Sequence, residues 1–359
     1  MSDGAHDAEP RIAVLVPCRN EEATVAKVVS DFRCALPQAA VYVCDNASTD
    51  RTAAEAASAG AEVIYERRPG KGAAVGAMLA TIDADYYVLA DGDDTYPAEC
   101  AADLLQPLLA DQADMVVGQR LSEFVPGAFR PWHLAGNRMI AALVNVLFSV
   151  RLTDVMSGYR TFTREFAEAV PVTAVGFDLE PELTLQAIQR QFVICEAPVV
   201  YRPRPAGGCS KLRTFRDGLR VIVKIVGMFV AYRPMRFFGG LGLACWLTAI
   251  PFAARVFHPE FARQGAGAAA TITMMAALLV GGMLLAAIGI VLHVLAFRLV
   301  AMERGFDQRI GRVRRGLPAR CESGPRCSAG RAPAERWSQG HALARGSGAP
   351  PQSCRLEDQ

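Results

Sequence analysis

The sequence carries ten cysteines but no Cys-x-x-Cys pair and no regular cysteine spacing. That argues against a disulfide framework or a zinc site and suits free thiols in a reducing cytosol. Neither charge is in excess: 38 Lys+Arg against 36 Asp+Glu leave a net charge of +2, which singles out no class of partner. An apolar leader is absent as well. Residues 1–10 are polar and acidic, so a flexible N-terminus without a signal peptide is expected. No internal repeat is visible. What the chain does have is apolar surface: 52% of its 359 residues are hydrophobic, high for a soluble protein and a pointer to a membrane.

The first half alternates strand and helix patterns. "RIAVLVP", "AVYVCDN", "AEVIYE" and "DYYVLAD" read as buried strands. Between them, "NEEATVAKVVSDFRCAL" has acids where a helix would start, and "STDRTAAEAASAG" opens on cap-type residues and stops at Gly60. "GKGAAVGAMLATIDA" supplies a third helix. This alternation predicts an α/β domain with a mainly parallel sheet, helices on both faces, and ligands beyond the carboxyl ends of the strands. Polar clusters fall at those ends, at Pro17–Glu21, Asp45–Asp50 and Asp91–Asp94. "MIAALVNVLFSV" is too short to span a bilayer and reads as a core or interfacial helix.

The C-terminal third differs. Residues 237–257 and 265–297 are apolar runs long enough to cross a membrane. Arginines and lysines crowd both outer flanks, and the connecting loop carries little charge, so both termini are expected in the cytoplasm. Residues 212–236 alternate basic and apolar positions at helical spacing, as in a helix lying on a membrane surface or packed on the domain. Residues 317–359 are rich in Gly, Pro, Ser and Arg and read as disordered.

One stretch needs a partner. In "YYVLADGDDTYPAE", Asp91, Asp93 and Asp94 follow a strand at once, and Pro97 stops that strand from continuing. Clustered carboxylates repel one another unless a cation is present. Hard oxygen ligands suit Mg2+ or Mn2+, whose shell is commonly completed by substrate phosphates. An exposed acidic turn is the plainer alternative.

The ordered series "VLVPCRNEEATV", "VYVCDNASTDRTAAEAASAGAEV", "RPGKGAAV" and "VLADGDDTYP" resembles the nucleotide-sugar-binding half of family 2 glycosyltransferases. The likeness runs on through "MVVGQR", "DVMSGYRTFTREF", "GFDLEPELT" and "YRPRPAGGCSKLRTFRDGLR", and is nearest to the polyprenyl-phosphate (dolichyl-phosphate-type) hexosyltransferases. The resemblance implies a GT-A catalytic domain over residues 11–211, two C-terminal transmembrane helices, and an inverting transfer of hexose from a nucleotide diphosphate sugar of the UDP-glucose or GDP-mannose type to polyprenyl phosphate. It implies a cytoplasm-facing enzyme of the inner membrane, with Mg2+ or Mn2+ as cofactor, membrane lipid around it, no nucleic acid, and room for a homo-oligomer.

Residue by residue, the resemblance places Pro17, Arg19, Glu21 and Asp45 at the nucleotide, with Lys71 and Arg160 near the donor. It makes Asp91 and Asp93 the metal pair and leaves Asp94 unassigned. Arg120, Arg204 and Lys211 would stabilise the departing diphosphate. The spacing from Arg204 to "SKL" is one residue longer than the simplest family pattern, which makes Arg202 its alternative. Asp154 and Ser157 match a segment lining the donor and acceptor pocket. Glu180, with Asp178 and Glu182, could be a base, or could simply be an acid favoured in a first helical turn. For Asp45 the competing reading is an Asx turn, and for Lys71 a solvated loop lysine. Two other readings stay open: a processive polysaccharide synthase of the same superfamily, and a catalytically silent membrane-tethered scaffold.

Overall fold

The computed structural model describes residues 9–120, 131–174, 176, 178–204, 214–258 and 266–314. Lys211, residues 1–8 and the stretch 317–359 lie outside the described residues.

The chain alternates strand and helix as its periodicity predicts: β1 (Ile12–Cys18), α1 (Val25–Ala35), β2 (Ala39–Asp45), α2 (Thr52–Ser58), β3 (Glu62–Tyr65), α3 (Lys71–Thr81) and β4 (Tyr86–Leu89). A single 3-10 turn at Ala98–Cys100 leads into α4 (Ala101–Leu109) and β5 (Met115–Gln119). Then come α5 (Pro131–Phe148), β6 (Arg160–Thr163), α6 (Arg164–Ala169), α7 (Leu179–Arg190) and β7 (Ile194–Pro198). The strands form one seven-stranded sheet in the order β3-β2-β1-β4-β6-β5-β7. Only β6 runs antiparallel to its neighbours. The chain steps outward from β1 in one direction and resumes with β4 on the other side, so a crevice opens at the carboxyl ends of β1 and β4.

The core explains why the strand segments are continuously apolar. Val14 and Val16 of β1 pack with α1 and α4 on one face, while Ala13 and Leu15 pack with α3 and α7 on the other. A strand covered on both faces needs apolar residues at every position.

Two expected helix starts are built differently. The first turn of α1 holds no acid, because Glu21 and Glu22 lie in the loop before Val25. The residue preceding α2 is Arg51, whose side chain makes no cap bond, while Asp50 Oδ1 accepts from the Thr52 amide at 3.0 Å. The cap-type residues of both loops also join the loops to each other.

Beyond the sheet, α8 (Thr214–Tyr232) packs Val221, Ile225, Met228 and Phe229 against Ile140, Val144 and Phe148 of α5. The helices α9 (Pro234–Val256) and α10 (Ala266–Arg314) follow. Among the described residues, two helical stretches are long and apolar enough to cross a membrane, Pro234–Val256 and Gly267–Leu299. They approach closely at glycines: a Cβ on Gly242 would lie 2.7 Å from the carbonyl oxygen of Gly282. Small residues permit such contact where lipid supplies no hydrophobic drive between helices.

Candidate active site

Three loops at the carboxyl ends of the strands are tied into one surface. The Asn20 side chain accepts from the Thr49 amide at 2.8 Å, and the Asn20 amide donates to Ser48 Oγ at 3.0 Å. The Glu21 amide donates to Thr52 Oγ1 at 2.9 Å, and the Arg51 amide donates to Glu22 Oε2 at 3.0 Å. Asn46 joins the third loop, donating to the Glu66 and Arg68 carbonyls and accepting from the Gly70 amide at 2.6 Å. Gly70 has φ +136°, a conformation that suits glycine, and it delivers Lys71 as the first residue of α3.

The loop after β4 carries the acidic cluster. Gly92 rests on the Cys18 side chain with no room for a Cβ, and its carbonyl accepts from Thr24 Oγ1 at 2.6 Å. Each aspartate already faces a cation. Asp91 Oδ1 lies 2.5 Å from Lys71 Nζ, Asp93 Oδ2 pairs with Arg204 Nη2, and Asp94 Oδ1 lies 2.8 Å from Lys27 Nζ. Lys71 also donates to Glu180 Oε1 at 2.6 Å. Burial opposes the Lys71 charge, yet Asp91 and Glu180 outweigh it and raise the pKa of the ammonium. Arg204 is held the same way: burial lowers its pKa and Asp93 raises it further. Asp93 is fixed by Thr95, whose hydroxyl donates to Oδ1 at 2.6 Å. Glu180 is 4% exposed, and its second oxygen is buried with no hydrogen-bond partner.

A second charged cluster stands behind the first. Arg120 grips Asp154 through Nε at 2.8 Å and Nη2 at 2.9 Å. Burial would push the Asp154 carboxyl up, but Arg120 overrides this and holds it below the ordinary carboxylate range. Glu196 of β7 accepts from the Thr153 and Asp154 amides at 2.9 Å. Tyr96 links the clusters, its hydroxyl accepting from the Gly158 amide at 3.0 Å and lying 3.5 Å from Arg120 Nη1. Gly158 borders the first cluster directly: a Cβ there would lie 2.9 Å from both Asp91 Oδ2 and Lys71 Nζ.

The structure therefore brings Lys71 to Asp91 and Glu180, and Arg204 to Asp93. Arg202 does not join them; it pairs with Glu99 at 2.6 Å. Lys71 is not a solvated loop lysine, being mostly buried and helical. Pro17 is the penultimate residue of β1, and Arg19 and Glu21 lie in the loop that follows, with Arg19 exposed. Asp45 is buried and accepts from the Ser48 amide at 3.3 Å, so the turn-type contact exists. Ser157 is buried and accepts from the Tyr159 amide. Asp178 precedes α7, accepts from the Gly176 amide at 2.9 Å, and has Lys224 Nζ 4.0 Å away. Glu182 bonds with Thr173 and, at 3.3 Å, with Lys224.

Arg160 departs most from expectation. It has no exposed surface, and its guanidinium donates to the Ser157 and Val155 carbonyls and to Thr184 Oγ1, each at 2.8 Å. Burial lowers its pKa to about 10. It holds the 155–160 loop from behind, and a sequence motif does not distinguish that from reaching a ligand. Sequence reasoning missed Lys27, Tyr96, Thr95 and Gly158. The glycine of "SGYR" was the available signal, since a glycine beside a charged motif often marks a close approach.

Among the described residues, no three His, Cys, Asp or Glu side chains converge to cage a metal by themselves. Asp91 and Asp93 offer hard oxygens from one loop, which fits a divalent cation that takes its remaining ligands from phosphate and water.

The family model described as Glycosyl transferase family 2 matches residues 13–170. The chain is 34% identical over 275 residues to "Glycosyltransferase AglJ" of Haloferax volcanii, covering 76% of this chain and 90% of that protein. It is 33% identical to the "Dolichyl-phosphate hexose transferase" of the same organism, over 60% of this chain and 92% of that one. Among solved structures it is similar to glucosyl-3-phosphoglycerate synthase from Mycobacterium tuberculosis in complex with Mn2+ and UDP-glucose. That likeness has a TM-score of 0.50 and 25% identity, over 61% of this chain and 79% of the other.

Proposed function

The chain belongs to glycosyl transferase family 2, and from that premise we propose that this GT-A hexosyltransferase moves a hexose from a nucleotide diphosphate sugar to polyprenyl phosphate at the cytoplasmic face of a membrane, with inversion at the anomeric carbon. The observation that carries the reading is the convergence of Asp91 and Asp93 with Lys71 and Arg204 beside the crevice at β1 and β4.

Asp91 and Asp93 would hold Mg2+ or Mn2+, which when bound would neutralise charge on the donor diphosphate. The Mn2+ and UDP-glucose of the solved relative support this. The chain's own cations then have evident tasks. Arg204 and Lys71 bind diphosphate oxygens and stabilise the nucleotide as it leaves. Glu180 orients Lys71 through their 2.6 Å contact. Gly158, having no Cβ, lets the 154–160 loop come close against Asp91 and Lys71. Arg120, Asp154 and Arg160 hold the 154–160 loop that presents Gly158. The lipid phosphate has its second pKa near ~6 and is already nucleophilic at neutral pH, so the acceptor needs no general base.

The acceptor assignment is supported by the relative named for dolichyl phosphate and by the two apolar helices. The outer side of α8 is apolar too, with Leu219 and Val223 each 62% exposed although the inner side is packed on α5. A helix apolar on both sides, joined to a span, suits the lipid interface. Lys211 lies outside the described residues and is proposed as a further phosphate contact on sequence grounds.

The test supplies membranes containing the protein with polyprenyl phosphate and radiolabelled UDP-glucose or GDP-mannose. The expected product is a labelled lipid whose sugar is released by mild acid, as a single phosphate link requires. A labelled polymer, or a lipid sugar that survives mild acid, would overturn the acceptor.

A further inference from the structure

Lys71 pairs with both Asp91 and Glu180, and Arg204 pairs with Asp93, two positions further along the loop that carries Asp91. The aspartates that would hold a metal are thus already neutralised by groups within the chain. Resting on the reading above, we propose that Arg204 and Lys71 are resident counter-cations that exchange partners on loading. Each leaves its aspartate for a phosphate oxygen, and the aspartates pass to the divalent cation.

Charge and geometry both favour a joint exchange. A divalent cation arriving alone would add two positive charges beside Arg204 and Lys71 and take an aspartate from each of them. A divalent cation together with a nucleotide-sugar diphosphate adds almost no net charge and supplies the missing anion. Lys71 is equipped to move: it stays anchored to Glu180 Oε1 while it swings off Asp91, and Glu180 keeps a second oxygen without a partner. Arg204 is about one-third exposed, so it too has somewhere to go. Asp93 does not have to move, because Thr95 holds its other oxygen. Metal and diphosphate should therefore bind with positive coupling, and by linkage each strengthens the other by the same factor.

The experiment measures Mn2+ binding by electron paramagnetic resonance on the full chain in nanodiscs, first with Mn2+ alone and then with UDP or GDP added. For the unmodified chain, one of the diphosphates should tighten Mn2+ binding by roughly tenfold or more, the scale of one charge-assisted partner. Arg204→Gln frees Asp93, so Mn2+ alone should bind about tenfold tighter than to the unmodified chain, and the gain from diphosphate should shrink. Arg204→Lys keeps a cation there and should fall between the two. Asp93→Asn should abolish Mn2+ binding in every condition. If Arg204→Gln leaves Mn2+ binding unchanged or weaker while Asp93→Asn abolishes it, the exchange is wrong and the metal reading stands. Mn2+ binding that Asp93→Asn does not alter overturns the metal reading and the exchange together.

Discussion

The pairs Arg120–Asp154 and Arg204–Asp93 use the same two residue types, and their surroundings make them different objects. The Asp154 side chain has no exposed surface and Arg120 holds it at two guanidinium nitrogens, with the Arg120 and Met156 amides donating as well. Arg204 is about one-third exposed and leads directly into the stretch outside the described residues. A saturated, dry ion pair is framework, because removing either partner leaves a buried charge uncompensated. Asp93 is itself buried, but Arg204 is about one-third exposed at the rim of a crevice, so the arginine can turn to another anion provided that a second cation takes over the carboxylate. The two pairs therefore divide the labour between shape and chemistry.

The contrast breaks most visibly through Asp93. Asp93→Asn preserves size and removes charge, so turnover should fall about 10³-fold, the scale of losing one preorganised electrostatic group. Its unfolding midpoint should stay close to that of the unmodified chain. Initial rates of lipid labelling and a thermal melt on the same preparation measure both. A variant that keeps its turnover would place Asp93 with the framework.

The opposite pattern is expected at Asp154. Asp154→Ala strands Arg120 in a dry site and should cost about 3–5 kcal/mol of stability. The effect should depend on pH with a definite sign. The folded pKa of Asp154 is depressed, so its contribution is fully present above the unfolded value near ~4 and is lost as pH falls through the lower folded value. Urea midpoints for the unmodified chain and the variant should thus differ most at neutral pH and converge well below pH ~4. A gap that stays constant down to that range would mean the ion pair is not what stabilises the loop.

The link between the pairs is Gly158, where the effect is smaller. Gly158→Ala places a methyl group 2.9 Å from Asp91 Oδ2 and Lys71 Nζ, the far ends of flexible side chains, so those groups shift and the fold survives. Turnover should fall roughly tenfold, within the range a small misplacement produces. The stability measurements that detect Asp154→Ala should barely register this change.

The strands were readable because burial on both faces demands continuous apolar runs, and β1 with "RIAVLVP" is the clearest case. The acidic cluster was readable for the converse reason: Asp91, Asp93 and Asp94 have no local explanation, so a cation had to come from elsewhere. Which cation was not readable. Lys71 and Glu180 are separated by 109 residues and Asp93 and Arg204 by 111, and no local pattern encodes such pairings. Arg160 and Arg204 looked alike as basic residues within motifs, and only burial separates them. Glu21 and Glu22 misled as helix-start signals because both lie ahead of α1, where the Glu22 carboxylate accepts from the Arg51 amide of the next loop.

The smallest effect tests whether framework and chemistry stay separate at α8, the helix proposed to lie at the lipid interface. Lys224 of α8 reaches across to Thr173 Oγ1 at 3.1 Å and Glu182 Oε1 at 3.3 Å. Glu182 is 2% exposed, with its other oxygen already lacking a partner. Glu180, the partner of Lys71, lies on the same helix two positions earlier. Lys224→Met keeps the aliphatic stem and removes the charge. Glu182 retains its bonds to Thr173 and Gln186, so the loss should be only about 1 kcal/mol. If Lys224 serves only to fasten α8 to α7, the melt shifts by a few degrees and turnover at saturating donor is unchanged. If turnover falls at saturating donor while the melt does not move, strain in α7 is reaching Glu180 and Lys71. Helix α8 would then set the geometry of the donor site, and the division between the two arginine–carboxylate pairs would have to be redrawn.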